Sequence, residues 1–150
     1  MARRAAGLLG LFLLGACSHP AENATPEGAV RAWLDHMEES TGDPDEAREA
    51  FALLGPRAQQ NLAARAARAS QVEGRRAQAF EMLAAGHFGL RFRPKAMHAT
   101  ATGDEAVVEV TGDDPGPEHA TVRCVRAADG WRVEPELPEL PPLLRRRDAG

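Results

Sequence analysis

The chain has 150 residues and a formal net charge of −4, a length that suits one domain and a charge that argues against nucleic acid as its partner. It has only two cysteines, Cys17 and Cys124, and no tyrosine. A disulfide-stapled scaffold and a phenol donor are therefore both excluded once Cys17 is committed elsewhere.

Residues 1–16 read as an export signal. Arg3 and Arg4 precede an apolar run from Ala5 to Leu14 that only glycines interrupt, and small residues follow. The run is too short for a membrane span, which needs roughly 20 apolar residues. Its end, Leu14-Gly15-Ala16-Cys17, resembles the lipobox of bacterial lipoproteins. The resemblance implies cleavage before Cys17, a diacylglyceryl thioether on Cys17 and fatty acylation (palmitate-type) of the new amino group. The partner it implies is a membrane, reached through lipid on Cys17. Ser18 in place of aspartate implies, by likeness to Gram-negative sorting, the outer membrane with the domain facing the periplasm. Loss of Arg3 and Arg4 leaves the remainder two charges more negative than the whole chain.

Residues 17–24 have no period and read as a flexible tether. Thr25-Pro26-Glu27 then opens a helix with a hydroxyl cap, a proline at the first position and an acid in the first turn. Val30, Trp33, Leu34 and Met37 recur at helical spacing, so one face is apolar. Asp43-Pro44-Asp45-Glu46 restarts the chain with the same logic, Glu46 standing where a capping box needs it. Ala47, Ala50, Phe51 and Leu54 form its stripe. Gly55-Pro56 opens a third helix, alanine-rich to about Ser70, with Leu62, Ala66, Ala69 and Val72 on one face. After Gly74, the spacing of Ala77, Phe80, Leu83 and Ala84 predicts another short helix ending at Gly86.

From His87 to Arg93 the chain reads as irregular or extended, and Pro94 disfavours helix before it. Met97, Ala99 and Ala101 alternate with polar residues up to Gly103-Asp104, a two-residue hairpin signal. Ala106, Val108 and Val110 carry the return strand, and residues 113–117 are a loop. Ala120, Val122 and Cys124 alternate in a third strand, and Asp129-Gly130 leads into Trp131-Arg132-Val133. Helices followed by an antiparallel meander give the α+β class, with N-terminal helices packed on a curved sheet. The domain is expected over 25–135. Residues 136–150 read as a Pro-rich, basic tail ending in Arg145-Arg146-Arg147, a solvated end or a weak tether to anionic lipid.

The wording Thr-Pro-Glu-Gly-Ala-Val-Arg-Ala-Trp-Leu, then Ala-Arg-Glu-Ala-Phe-Ala-Leu-Leu-Gly-Pro-Arg-Ala, and finally Gly-Trp-Arg-Val resembles small bacterial lipoproteins with a nuclear transport factor 2-like domain. The resemblance spans about residues 25 to 135 and implies a cone of helices on a curved antiparallel sheet. It departs in one place: such domains usually carry a strand between the second and third long helices.

Chemistry is sparse. Some members of that superfamily use a carboxylate base and a hydroxyl or acid donor in an apolar cone. Here Asp35 and His36 are neighbours on a helix and point about 100° apart, which suits a solvated flank. His19, His36, His87, His98 and His119 show no i, i+4 pair, and no Cys-X-X-Cys accompanies them, so no metal or other cofactor is expected. Cys124 alternates with Ala120 and Val122, and a thiol among apolar groups is inert. Trp33 and Trp131 read as core residues bridging helix and sheet; in a cone open at one end, Trp33, Met37, Phe51 and Trp131 would line it and admit a small apolar ligand. The reading is a lipid-anchored envelope protein with a non-catalytic binding or accessory domain. Its rivals are a cone-fold enzyme of isomerase or dehydratase type, with Asp35 or a histidine as base, and a structural partner, as a homodimer or within an envelope complex.

Overall fold

Three helices begin alike, each with proline at the first helical position: α1 (Pro26–Glu39), α2 (Pro44–Ala52) and α3 (Pro56–Glu73). The structure, a computed structural model, describes residues 21–83, 88–112 and 118–140. The signal, Cys17, His19, Ala84 to His87, the loop 113–117 and Arg145–Arg147 lie outside them. Proline suits the first turn because its missing N–H would have no helical partner there. Thr25 Oγ1 accepts from Gly28 N at 3.0 Å, and Asp43 Oδ1 from Asp45 N at 2.8 Å. Glu46 departs from the expected capping box: its carboxylate meets His36 Nδ1 on α1 at 2.5 Å.

The strands β1 (Pro94–Thr102), β2 (Glu105–Gly112), β3 (His119–Ala127) and β4 (Gly130–Glu134) form one antiparallel sheet in chain order. Thr102 pairs with Glu105 across Gly103-Asp104, and Gly103 has φ +62°, a left-handed turn position that glycine adopts without steric cost. One sheet face is apolar. Val108 stands between Ala99 and Val122, and Cys124 between Ala106 and Val133. Helix α1 lies on that face, touches all four strands and buries Ala29, Val30, Trp33 and Met37 against it.

Both sheet edges are partly covered. Beside β4, Asn23 O accepts from Trp131 N at 2.8 Å, Leu53 O from Val133 N at 2.9 Å and Val133 O from Gly55 N at 2.8 Å. At β1, the Glu27 carboxylate accepts from Ala99 N at 2.9 Å. Covered edges are less open to pairing with another chain.

Three sequence expectations are corrected. Val72, in the last turn of α3, is 88% exposed, whereas Leu62 and Ala66 earlier on the same stripe are buried. The expected helix around Ala77 is a four-residue 3-10 helix, Ala79–Met82, and Ala77 N instead donates to Ser70 Oγ at 2.9 Å. The tether is docked at its end: Asn23 is buried and donates through Nδ2 to Asp129 O at 3.3 Å. Beyond β4 the prolines keep the chain irregular. Leu137 still packs on the core, and Arg65 holds Pro138 O.

Candidate functional site

Strand β4 is shorter than β3. It pairs with Arg123–Ala127 and stops at Glu134, so His119–Val122 run on past it. Pro135 follows and has no N–H to extend the ladder. A cleft of about 380 Å³ opens beside this step, within the usual range of small-molecule sites. Trp33 of α1, Val122 of β3, and Phe88 and Leu90 of the irregular segment before β1 supply its apolar lining. Thr121, Arg123, Glu134, Pro135 and Glu136 supply the rest.

Trp33 is 1% exposed, and its Nε1 is the buried side-chain polar atom without a partner among the described residues. The other polar groups differ in how far they are engaged. Arg123 approaches Glu105 at 4.0 Å. Glu134 accepts from Arg57 N and Ala58 N, each at 3.1 Å. Glu136 is exposed. The arrangement can hold an apolar body.

The four residues expected to line one cavity are separated. Met37 lines a second cleft of about 430 Å³ with Leu34, Glu38, Thr41 and the segment from Gly89 to Pro94. Leu90 lines both clefts, on the Trp33 side and on the Met37 side. Phe51 and Trp131 line neither. Phe51 is half-buried against the core, while Trp131 is 3% exposed with the Arg126 guanidinium 4.8 Å from its ring centre. Sequence reading missed Phe88, Leu90 and Phe92 as an inward row. Their alternation with Arg91 and Arg93 was the available signal.

On the other flank of α1, Asp35 is exposed but His36 is not simply solvated. His36 Nδ1 meets Glu46 at 2.5 Å and Nε2 lies 3.7 Å from Glu22. Burial alone would lower its pKa. The hydrogen bond and charge of Glu46, with the charges of Glu22 and Glu49, outweigh that and raise it above 6.5. Cys124 is buried, and burial followed by the Glu27 charge pushes its thiol up to about 12, so it stays protonated and unreactive at neutral pH. His98 and His119 are exposed. Among the described residues no group of three or more His, Cys, Asp or Glu is placed to hold a metal ion, and no helix is long and apolar enough to cross a membrane. Comparison with known protein families, curated proteins and solved structures finds no match for this chain.

Proposed function

We propose that this chain is a lipid-anchored cell-envelope protein whose folded part is a non-catalytic binding domain, held at the outer membrane and facing the periplasm. One observation carries the anchor: Leu14-Gly15-Ala16 stands immediately before Cys17, at the end of a short apolar run behind Arg3 and Arg4. A nuclear transport factor 2-like cone is the finer reading of the α+β fold. The order of helices before an antiparallel meander supports it. So does Leu54, between α2 and α3, which makes a single parallel bridge to Val133 where such domains usually carry a strand. The binding role is supported by the cleft at Trp33, where one of the two lining carboxylates, Glu134, is already engaged by two backbone N–H groups.

Metabolic labelling with palmitate tests the anchor. The full chain should take up label and shift to a smaller mature form, and Cys17→Ala should do neither. Label retained by Cys17→Ala would overturn the assignment. Fractionation tests the membrane: the protein should sediment with outer membrane, and Ser18→Asp should move it to the inner one.

A further inference from the structure

We propose that the step where β3 outruns β4 takes an extended peptide of a partner protein. The peptide pairs antiparallel with His119–Val122 as an added strand, and places an apolar side chain flanked by basic residues in the adjoining cleft. The inference names the ligand class for the binding role proposed above and rests on that role. Register decides which backbone groups the step exposes, because successive residues of an antiparallel strand point these groups alternately to one neighbour and the other. Trp131 N and Val133 N donate away from β3, to Asn23 O and Leu53 O, and Val133 O accepts from Gly55 N. Gly130, Arg132 and Glu134 therefore turn theirs toward their β3 partners Ala127, Val125 and Arg123. The alternation continues along β3, so Thr121 and His119 present N–H and C=O on that same side. There β4 has ended, and among the described residues no hydrogen bond reaches them. An open run of ladder groups is what strand addition uses.

The cleft supplies the side-chain preference. Thr121, Val122 and Arg123 of the step line it together with Trp33, Phe88 and Leu90. Val122 lies on the apolar sheet face with Cys124, so a peptide residue opposite Val122 or Ala120 points to that face and its neighbours point outward. Apolar side chains suit the inward positions. Glu134 and Glu136 place two carboxylates beside the step, while the charge of Arg123 is shared with Glu105 at 4.0 Å. That excess of negative charge selects basic residues at the outward positions.

Backbone pairing allows a test that side-chain binding does not imitate. The anchored protein, in phosphatidylcholine nanodiscs, is titrated into fluorescent acetyl-Lys-Leu-Lys-Leu-Lys-amide with empty discs as the blank, and anisotropy reads binding. Methylating the backbone nitrogen of the central lysine removes a donor aimed at β3, whereas methylating a leucine nitrogen removes one that points away. The first change should weaken binding about tenfold, the loss expected for one hydrogen bond, and the second should leave it unchanged. Thr121→Pro removes a donor from the step itself, breaks no bond among the described residues, and should weaken the parent peptide by a similar factor. Acetyl-Glu-Leu-Glu-Leu-Glu-amide should bind more weakly than the lysine peptide, and Glu136→Lys should narrow that gap. Equal affinity of the two methylated peptides would overturn strand addition while leaving a binding domain in place. Equal affinity of the glutamate peptide would overturn the basic flanks. No saturable binding by any peptide would overturn both this inference and the binding role. Binding seen only after deletion of residues 141–150, or cross-linked dimers that the peptide takes apart, would assign the step to the chain's own tail or to a second copy and overturn the partner. Should Thr121→Pro fail to fold, the two methylated peptides on wild type decide alone.

Discussion

Glu134 and Ala58 are joined across 76 residues of sequence: the carboxylate closing β4 accepts the Ala58 N–H at 3.1 Å, with the Arg57 N–H on its other oxygen. The N-cap of helix α3 is Gly55, which has no side chain to cap it, so the sheet supplies the cap. A Cβ at 55 would lie 2.3 Å from Glu134 Oε1, so a side chain there would have to push this carboxylate out of the cap. One residue thus sets where α3 begins and borders the Trp33 cleft.

Glu134→Ala should lower stability by about 1–2 kcal/mol, the sum of a lost cap and a lost favourable charge at a helix N-terminus. Urea unfolding followed by circular dichroism measures it. An unchanged midpoint would mean that water caps α3 as well as the carboxylate does.

Trp33 and Asp35 sit two residues apart with opposite environments, one 1% exposed and the other on the surface. Trp33→Ala should cost about 3–5 kcal/mol, a large part of the roughly 5–15 kcal/mol that holds a domain together. Asp35→Asn should stay within about 0.5 kcal/mol of wild type, as exposed substitutions do. A clear gain in stability from Asp35→Asn would instead place the acid in a desolvated site and favour the enzyme reading.

Where the sequence was legible, the cause was local. Thr25-Pro26, Asp43-Pro44 and Gly55-Pro56 mark the helix starts because caps act within one turn, and Gly103-Asp104 marks the hairpin by its own backbone preference. What remained hidden depends on distant partners. Val72 keeps the period of its stripe, but period does not say where the neighbouring layer ends. Glu46 has capping-box spacing, yet a half-buried imidazole ten residues earlier takes its carboxylate. Trp33 and Met37 share one helix face, but Leu90 comes from another part of the chain and lines a separate cleft beside each.

Cys124 should resist alkylation in the folded protein at neutral pH and react promptly in denaturant. It is 1% exposed, its Sγ lies 4.0 Å from Pro26 O, and its thiol is pushed up to about 12. Mass spectrometry after iodoacetamide treatment, with and without urea, reads the result. Labelling at equal rates in both conditions would show that the β3 face opens freely.

His36 should make stability depend on pH in one definite direction. The ring joins α1 to Glu46 of α2 and approaches Glu22 at the docked end of the tether, with Glu49 adding charge and Arg31, Asp35 and Glu39 lining the same depression. Its folded pKa is raised above 6.5, so the native state binds the proton more tightly than the unfolded chain. The stabilisation is therefore full below the unfolded pKa and is lost as pH rises through the folded one. Urea midpoints measured between about pH 6 and about pH 8.5, the interval in which histidine changes charge, should fall for wild type. His36→Gln keeps a polar side chain but cannot gain the proton, so its midpoint should fall less over the same interval. Glu46→Gln should flatten the dependence in the same way, because it removes the hydrogen-bonded charge that outweighs burial. A wild-type midpoint that rises with pH, or a dependence unchanged in both variants, would mean that solvent rather than the surrounding glutamates sets the proton affinity of His36.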